Sequence, residues 1–297
     1  MFLLFINEFA SYRRLKTSSE MYIDVNRGGD KLKINIDIDV PNLPCSLVSL
    51  DFEDAMGAHS LNLEGSIIKY NLDKNGNALN SENYTNTKID DENFLQPDYN
   101  KVLNAISNKQ GCRLKGYFFV NKVPGNFHIS SHAFAPTIQK LAIENKLDID
   151  LNHKINYLSF GDDEEIKTIN SKFKEGTLLS LNGKNKPRNQ YRTIYEYYIK
   201  VVPTTYNDIQ ENIYYSYQYT YNSNDSPAYN QFPSLYFRYD ISPITVEYTH
   251  YREKFLSFFI QICAILGGVF TVTGIIDSMI HKSVKALLRK AQLNKLS

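Results

Sequence analysis

The hydrophobic and polar positions along the chain follow two patterns. Between residues 32 and 40 (LKINIDIDV), hydrophobic residues occupy every second position, a period of two that is typical of a strand with one buried face. Residues 255–276 (FLSFFIQICAILGGVFTVTGII) instead form an apolar run of 22 residues without a charge. The first pattern predicts a sheet, and the second predicts a long apolar helix.

Strands are predicted through most of the chain between these two segments. Apolar and Tyr-rich runs bounded by polar turns predict strands at 46–52, 61–72, 114–120, 127–129, 155–161, 193–202, 213–221 and 235–248. Two Asn-rich stretches, 73–110 and 170–189, are predicted as surface loops, with one short helix at 97–107. The predicted fold is therefore mainly β: an antiparallel β-sandwich followed by a C-terminal transmembrane helix.

The apolar run at 255–276 is predicted to cross a membrane. At about 1.5 Å per residue, a helix of this length reaches across a hydrocarbon core of roughly 30 Å. A buried hairpin broken at Gly267-Gly268 is the alternative, and it is disfavoured because no polar turn residues flank the glycines.

The charges after this run predict its orientation. Asp277 is the only acid there, whereas five basic residues follow: Lys282, Lys285, Arg289, Lys290 and Lys295. Because Lys and Arg concentrate on the cytosolic side, residues 277–297 are predicted to be a cytosolic basic tail and residues 21–250 a β-rich lumenal domain. Within it, a basic helix at 282–290 is expected to lie on acidic lipid headgroups, and Lys295 alone fits a weak dilysine-like retrieval signal.

Residues 1–20 begin in an apolar run (MFLLFI) that is too short to span a bilayer. They are interpreted either as a frayed amphipathic end or as the remnant of a first transmembrane helix with its lumenal flank. The second interpretation supplies the signal that a lumenal domain needs to cross the membrane.

Small residues within the predicted span suggest a packing face. Ala264 and Gly268 stand four apart, and Gly267 and Gly274 add further small positions that let a second helix approach closely. Gln261 is placed to add one interhelical hydrogen bond. The alternative is that these glycines only reflect the higher glycine content of membrane helices.

Two cysteines and two sequons depend on the predicted compartment. Cys45 and Cys112 are the only cysteines before the apolar run, and in an oxidising lumen we expect them to pair. A redox-active pair is disfavoured because the sequence has no Cys-x-x-Cys. Asn83-Tyr84-Thr85 and Asn224-Asp225-Ser226 are candidate N-glycosylation sites, the second in a predicted loop.

Composition and motifs narrow the chemistry. The net charge is +1 and the basic residues are scattered, so no nucleic-acid partner is expected. Serine-hydrolase, zinc-protease, dithiol and phosphate-loop motifs are missing, so no enzyme and no cofactor are predicted. His128 and His132 stand four apart, but no nearby cysteine or acidic cluster completes a metal site, and a hydrogen-bonded structural role is favoured. The acidic run at 162–165 is predicted to be a solvated loop.

Several longer segments resemble one family. They are, in order, YIDVNRGGDKLKINIDIDVPNLPC, GCRLKGYFFVNKVPGNFH, INYLSFG, YYIKVVPTTY, YSYQYT, FRYDISPITVEYT and CAILGGVFTVTGIIDS. Their order and wording are similar to those of the endoplasmic-reticulum vesicle transporter family, the ER–Golgi intermediate compartment proteins, and closest to its short, cysteine-poor branch.

The resemblance implies a function and a set of partners. Members of that family are two-pass membrane proteins that cycle between the endoplasmic reticulum and the Golgi as cargo receptors or receptor partners. The expected partners are family paralogues, lumenal protein cargo, vesicle coat components at the cytosolic ends, and the lipid bilayer. The chain departs from the family pattern in its short first apolar run and in lacking the Cys-rich segment of the long branch within residues 73–110.

Overall fold

The computed structural model describes residues 2–23, 31–54, 64–84, 97–145, 149–176, 178–187, 192–229 and 231–293. The chain divides into two compact units. The β unit comprises Ser19–Tyr206 and Ile213–Tyr248, and the helical unit comprises Met1–Ser18, Asn207–Asn212 and Thr249–Ser297.

Thirteen strands and five helices are found among the described residues. The strands are β1 (Lys16–Ile23), β2 (Leu32–Val40), β3 (Ser49–Asp54), β4 (Glu64–Leu72), β5 (Ala78–Tyr84), β6 (Gly111–Val120), β7 (Gly125–Ser130), β8 (His153–Phe160), β9 (Lys184–Lys186), β10 (Thr193–Asn207), β11 (Ile213–Pro227), β12 (Ser234–Ile241) and β13 (Ile244–Tyr251). The helices are α1 (Phe2–Arg13), α2 (Tyr99–Ser107), α3 (Ala135–Asn145), α4 (Asp163–Lys172) and α5 (Phe255–Leu293), with 3₁₀ turns at Cys45–Leu47 and His132–Phe134.

The strands form two sheets, which confirms the predicted fold class. The six-stranded sheet has the order β5-β4-β6-β2-β8-β9. The seven-stranded sheet has the order β1-β13-β10-β12-β7-β3, with β11 paired to β10. Strands β10 and β12 pair in parallel, so this second sheet is mixed rather than wholly antiparallel as predicted.

One hydrophobic core collects side chains from both sheets. In β2 the alternate residues that the pattern predicted as the buried face, from Leu32 to Val40, are at most 1% exposed. The ring of Phe118 on β6 meets that of Phe127 on β7 at 5.3 Å, and Phe127 stacks in turn on Phe237 of β12 at 4.7 Å. The apolar faces of β2, β6, β7 and β12 are buried in this core. The polar side chains of these strands therefore lie on the opposite faces of the two sheets.

Several predicted stretches differ from the structure. The loop predicted at 170–189 contains the end of α4 and strand β9. The loop predicted at 73–110 contains a strand, β5, as well as the predicted helix, which begins after Asp98, whose carboxylate accepts the N–H groups of Asn100 and Lys101. The strand predicted at 235–248 is two strands, β12 and β13. They separate at Ser242 and Pro243, where proline has no N–H for the ladder.

The acidic run at 162–165 is not a solvated loop, and that prediction was wrong. Asp162 caps α4 by accepting the N–H of Glu164, and the three acids after it form the first turn. Acidic side chains are stabilised there by the positive end of the helix dipole. Lys33 donates to Asp162 at 2.9 Å, and this bond is the main reason that the pKa of Asp162 lies below its ordinary value.

The last helix is longer than the predicted span. Helix α5 continues without a break from Phe255 to Leu293, so most of the predicted basic tail is helical. Within the helical unit, α1 contacts its first turn: the rings of Phe9 and Tyr12 lie 6.2 and 4.6 Å from that of Phe258. Residues 2–13, for which a frayed end or a membrane-helix remnant was predicted, are thus helical.

Candidate functional site

The outer face of the seven-stranded sheet brings together a cluster of polar side chains on β3 and β7. Phe127 and Ile129 point into the core and are fully buried, so His128 between them points to the outer face. On β3, Asp51 is the direct cross-strand partner of His128. The two residues therefore face each other across the ladder.

His132 joins this pair from the 3₁₀ turn that follows β7. Its ring stacks on that of His128 with the centroids 5.5 Å apart. Oδ2 of Asp51 lies 3.7 Å from Nε2 of His128 and 3.8 Å from Nε2 of His132. His128 and Asp51 are largely buried, whereas the side chain of His132 is 50% exposed. We call Asp51, His128 and His132 the histidine cluster.

Two serines next to the histidine cluster form hydrogen bonds with its members. The hydroxyl of Ser49 donates to Oδ2 of Asp51 at 2.9 Å and lies 3.2 Å from Oγ of Ser130. Oγ of Ser130 is in turn hydrogen-bonded to Nδ1 of His132. Ser49 and Ser130 are cross-strand partners, so the ladder that pairs Asp51 with His128 also positions both serines.

The polar face continues onto the neighbouring strands. The ring of His128 lies 4.9 Å from that of Tyr236 on β12, which is its cross-strand partner. The guanidinium group of Arg238 lies over the Tyr236 ring at 4.9 Å and bonds Glu196 of β10 at 3.0 and 3.1 Å. Tyr198 on β10 is 46% exposed beside Arg238. This row presents aromatic and charged groups together.

The sequence did not predict Asp51 as a member of this site. The two histidines were recognised by their spacing, but the carboxylate comes from a strand far upstream in the sequence. Only the register of β3 against β7 reveals that it lies beside them. A sequence signal exists in retrospect, since Asp51 is the polar position between the apolar residues Leu50 and Phe52.

The outer face of the six-stranded sheet carries a different charge arrangement. Arg113 of β6 donates from Nε to Oδ1 of Asp37 at 2.6 Å and from Nη2 to the other oxygen, a two-bond fork. The Asp37 hydrogen bonds raise the pKa of Arg113 above its already high ordinary value. The guanidinium group of Arg113 is always charged.

A third histidine belongs to the core rather than to a surface site. Nδ1 of His153 is 2.9 Å from the carbonyl of Leu151, and its Nε2 is 2.7 Å from the hydroxyl of Tyr197. Since a carbonyl only accepts, Nδ1 carries the proton and Nε2 accepts from the tyrosine. Burial lowers the pKa of His153 to about 4, so this ring is neutral at physiological pH.

The structure brings together the two cysteines that were predicted to pair. The Sγ atoms of Cys45 and Cys112 are bonded, 2.03 Å apart, and close a loop of 67 residues. Cys45 lies in the 3₁₀ turn just before β3, and Cys112 lies on β6. The bond therefore ties the chain entering one sheet to a central strand of the other.

The two sequons lie on strands. Asn224 is exposed near the end of β11, which continues to Pro227, so this sequon is not in the predicted loop. Asp225 beside it pairs with Lys186 at 2.7 Å, and the strand continues beyond the predicted end at 221. Asn83 on β5 is the cross-strand partner of Ile68 on β4, while Thr85 of its sequon lies outside the described residues.

Among the described residues, one helix is long and apolar enough to cross a membrane, the Phe255–Arg289 part of α5. A helix turns about 100° per residue, so Ala264 and Gly268 share one side while Gly267 and Gly274 share another. A Cβ added at any of the three glycines would meet nothing within 4 Å. Oε1 of Gln261 is buried without a hydrogen bond from the described part of the chain.

Four of the five predicted basic residues lie on the same helix. Lys282, Lys285 and Arg289 are exposed along α5. Lys290 belongs to the helix by its backbone, and Lys295 lies outside the described residues.

Comparison with known proteins gives consistent matches over the whole chain. The family profile described as endoplasmic reticulum vesicle transporter matches residues 81–277, and that described as Endoplasmic Reticulum-Golgi Intermediate Compartment (ERGIC) matches residues 1–61. Endoplasmic reticulum-Golgi intermediate compartment protein 1 of Xenopus laevis is 34% identical over 299 residues, 99% of this chain and 87% of that protein. The protein of the same name from Danio rerio is 33% identical over 303 residues, 100% of this chain and 88% of that one.

A solved structure shows the same fold. The crystal structure of Erv41p aligns with a TM-score of 0.52 at 20% identity, covering 77% of this chain and 99% of that one. At this identity the likeness supports the fold alone.

Proposed function

Because this chain belongs to the endoplasmic reticulum vesicle transporter family, whose members are membrane proteins of ER–Golgi transport, we propose that it is a cargo receptor or a subunit of one. It resides in the membranes of the endoplasmic reticulum, the intermediate compartment and the Golgi. In the proposal, its β unit binds protein cargo in the lumen, and its cytosolic ends bind vesicle coat components. A receptor of this kind binds and releases its cargo without catalysing a reaction.

The proposal rests mainly on one observation: a folded β unit and a possible membrane span belong to the same chain. A β unit with one shared core is continuous with a helix that has the length and composition to span a bilayer. A transport receptor needs both parts, since cargo on one side of the membrane must be linked to a coat on the other.

The proposed orientation places the β unit in the lumen and the end of α5 in the cytosol. It rests on the excess of Lys and Arg after the span and on the exposed sequon at Asn224. We expect the protein expressed in eukaryotic cells to lose apparent mass on endoglycosidase treatment, and the Asn224→Gln variant to lose less. An unglycosylated β unit accessible to protease added to intact microsomes would contradict this orientation.

The proposed cargo surface is the outer face of the seven-stranded sheet around Tyr198 and Arg238. Tyrosine and arginine are the residue types that most often carry binding energy at protein interfaces. The side chain of Arg238 is 43% exposed, and it is oriented by Glu196, so part of its ordering cost is already met within the chain.

Site-specific photocrosslinking tests this surface. A photoreactive residue in place of Tyr198 is expected to capture soluble lumenal proteins. The matched control is the same residue in place of Tyr117, an exposed tyrosine on the six-stranded sheet. Equal capture of soluble proteins at both positions, or capture of family members alone at Tyr198, would contradict the cargo-binding surface.

A second candidate is a structural partner that stabilises a receptor without touching cargo. It is favoured by the side of α5 that contains Gly268, where a side chain of a second helix could approach, and by Gln261, whose buried oxygen could accept its hydrogen bond. Gly268→Leu is expected to reduce co-purification of a family paralogue, whereas Gly267→Leu, on another side of the helix, is the control. Unchanged association in Gly268→Leu would count against this packing face.

A further inference from the structure

We propose that the histidine cluster, Asp51, His128 and His132, is a binding site for a divalent transition-metal ion of the zinc class. The three side chains offer two imidazole nitrogens and one carboxylate oxygen, all within 4.8 Å of one another. The proposal does not depend on the cargo-receptor function, because it concerns only what the β unit itself binds.

The distances suit a metal with short bonds. Tetrahedral zinc with ligands at 2.0–2.1 Å places its ligand atoms roughly 3.4 Å apart. Oδ2 of Asp51 is already 3.7 and 3.8 Å from the two Nε2 atoms. The two Asp51–histidine distances need to close by only a few tenths of an ångström. The two histidine nitrogens lie within 4.8 Å of each other and need to close by up to about 1.4 Å, which rotation of His132, the exposed member, can supply.

The hydrogen bonds beside the cluster fit one tautomer of His132 that would suit a metal ligand. A carboxylate only accepts, so Ser49 donates the 2.9 Å bond to Asp51; its hydroxyl also lies 3.1 Å from the carbonyl of Ser130. When Ser130 donates to Ser49, at 3.2 Å, it has no proton left for His132. In this arrangement Nδ1 of His132 donates to Ser130, and the lone pair of its Nε2 faces Asp51.

This relay is the arrangement that metal-binding histidines use. Their second ring nitrogen usually donates to a neighbouring oxygen, which fixes the tautomer and the orientation of the ring. Here the relay runs from His132 through Ser130 and Ser49 to Asp51, so it orients two of the three proposed ligands at once. Strand pairing sets the third, because His128 is the cross-strand partner of Asp51.

The ligand types select the kind of ion. Calcium and magnesium prefer oxygen ligands throughout, whereas imidazole nitrogens suit zinc, copper, nickel and iron. Three protein ligands leave a fourth position, and the exposed edge of His132 directs it to solvent. An open position of this kind can take water or a donor group from a bound protein.

The test measures zinc on the full-length chain in detergent. After incubation with zinc chloride and dialysis, we expect about one equivalent of zinc per chain by elemental analysis. Asp51→Asn and His132→Ala are each expected to lose that equivalent. His281→Ala, which removes an exposed histidine of α5, is the matched control and should keep it.

A second measurement separates metal loss from misfolding. Wild type and both variants should unfold at similar temperatures in the presence of chelator, and only the wild type and the His281→Ala protein should gain stability on addition of zinc. Ser130→Ala should retain binding with an affinity lowered about 10- to 100-fold, because it breaks the relay and leaves the ligands in place. Zinc retained by Asp51→Asn, zinc lost equally from His281→Ala, or no stoichiometric zinc on the wild type would each overturn the proposal.

Discussion

Each of the two sheets carries an acidic side chain on its outer face. One of these carboxylates is paired with an arginine, and the other lies beside two histidines. Asp37 on β2 is held by the guanidinium group of Arg113, which is charged at every pH that proteins meet. Asp51 on β3 instead faces the imidazole rings of His128 and His132.

The difference shows what a polar strand position can be used for. In the six-stranded sheet, the pair of Asp37 and Arg113 satisfies itself and supports the fold. In the seven-stranded sheet, two imidazoles beside a carboxylate form a set of side chains that suits a bound ion. Similar alternation along the strands thus produces a structural pair in one place and a candidate binding site in the other.

The largest effect is expected from removing the disulfide bond that ties the two regions together. Replacing both Cys45 and Cys112 by Ser should lower the free energy of unfolding by about 4 kcal/mol, because the unfolded chain regains the freedom of a long loop. Chemical denaturation of the purified protein measures this. A loss below about 1 kcal/mol would mean that the two sheets hold together without the bond.

Breaking the structural pair should come next. Arg113→Met removes both fork bonds from the largely buried carboxylate of Asp37, which keeps only the more distant Lys115 and Asn156, and we expect a loss of about 3 kcal/mol. The control is Lys115→Met, since Lys115 is more exposed and lies 3.8 Å from the same carboxylate, and it should cost less than about 1 kcal/mol. Equal losses in the two variants would remove the distinction between the fork and a surface charge.

The buried histidine, His153, is expected to make the stability of the fold depend on pH. The pKa of His153 falls from 6.5 to about 4 on folding, so below pH 6.5 the unfolded chain binds a proton that the folded chain refuses. Its contribution is fully present above pH 6.5 and is lost as the pH falls towards 4, a change of about 2 to 3 kcal/mol.

The measurement is unfolding stability at several values of pH in wild type and in His153→Gln. Glutamine keeps an acceptor for Tyr197 without titrating, so this part of the pH dependence should disappear. An unchanged slope between pH 6.5 and pH 4 would show that other groups cause it.

The smallest effect on stability is expected at the histidine cluster. Asp51→Asn keeps the shape of the side chain and removes a charge that no Lys or Arg among the described residues pairs with, so in the presence of chelator we expect a change within about 1 kcal/mol. Denaturation with chelator measures it. A loss as large as that of Arg113→Met would assign Asp51 to the fold rather than to binding.

Much of the fold was predictable because burial on one face leaves a mark in the sequence. Strand β2 was predicted with its observed ends, since every second residue enters the core. Strand β5 (ALNSENY) was missed because it lies at the edge of its sheet, where polar residues are tolerated on both faces. The apolar helix was recognised by its length and a basic helix was expected at 282–290. That the two form one unbroken helix to Leu293 was not predicted, because a change from apolar to basic residues does not show whether a helix continues.

The candidate site was only half predictable. His128 and His132 could be singled out by their spacing, which depends on local sequence alone. Asp51, Ser49 and their contacts depend on which strands pair and in which register, and one sequence without relatives carries no record of that pairing. The sequence therefore showed the spacing of the two histidines, but not which side chains surround them.

The unbroken helix α5 has a mechanical consequence. Its 39 residues extend about 58 Å, roughly 28 Å more than a hydrocarbon layer needs. Lys282, Lys285 and Arg289 recur at intervals of three and four, so they line one edge of a rigid rod. A tilt or rotation of the membrane-spanning part of α5 would therefore move all three charges together. The unbroken helix couples the position of the basic residues to the orientation of the span.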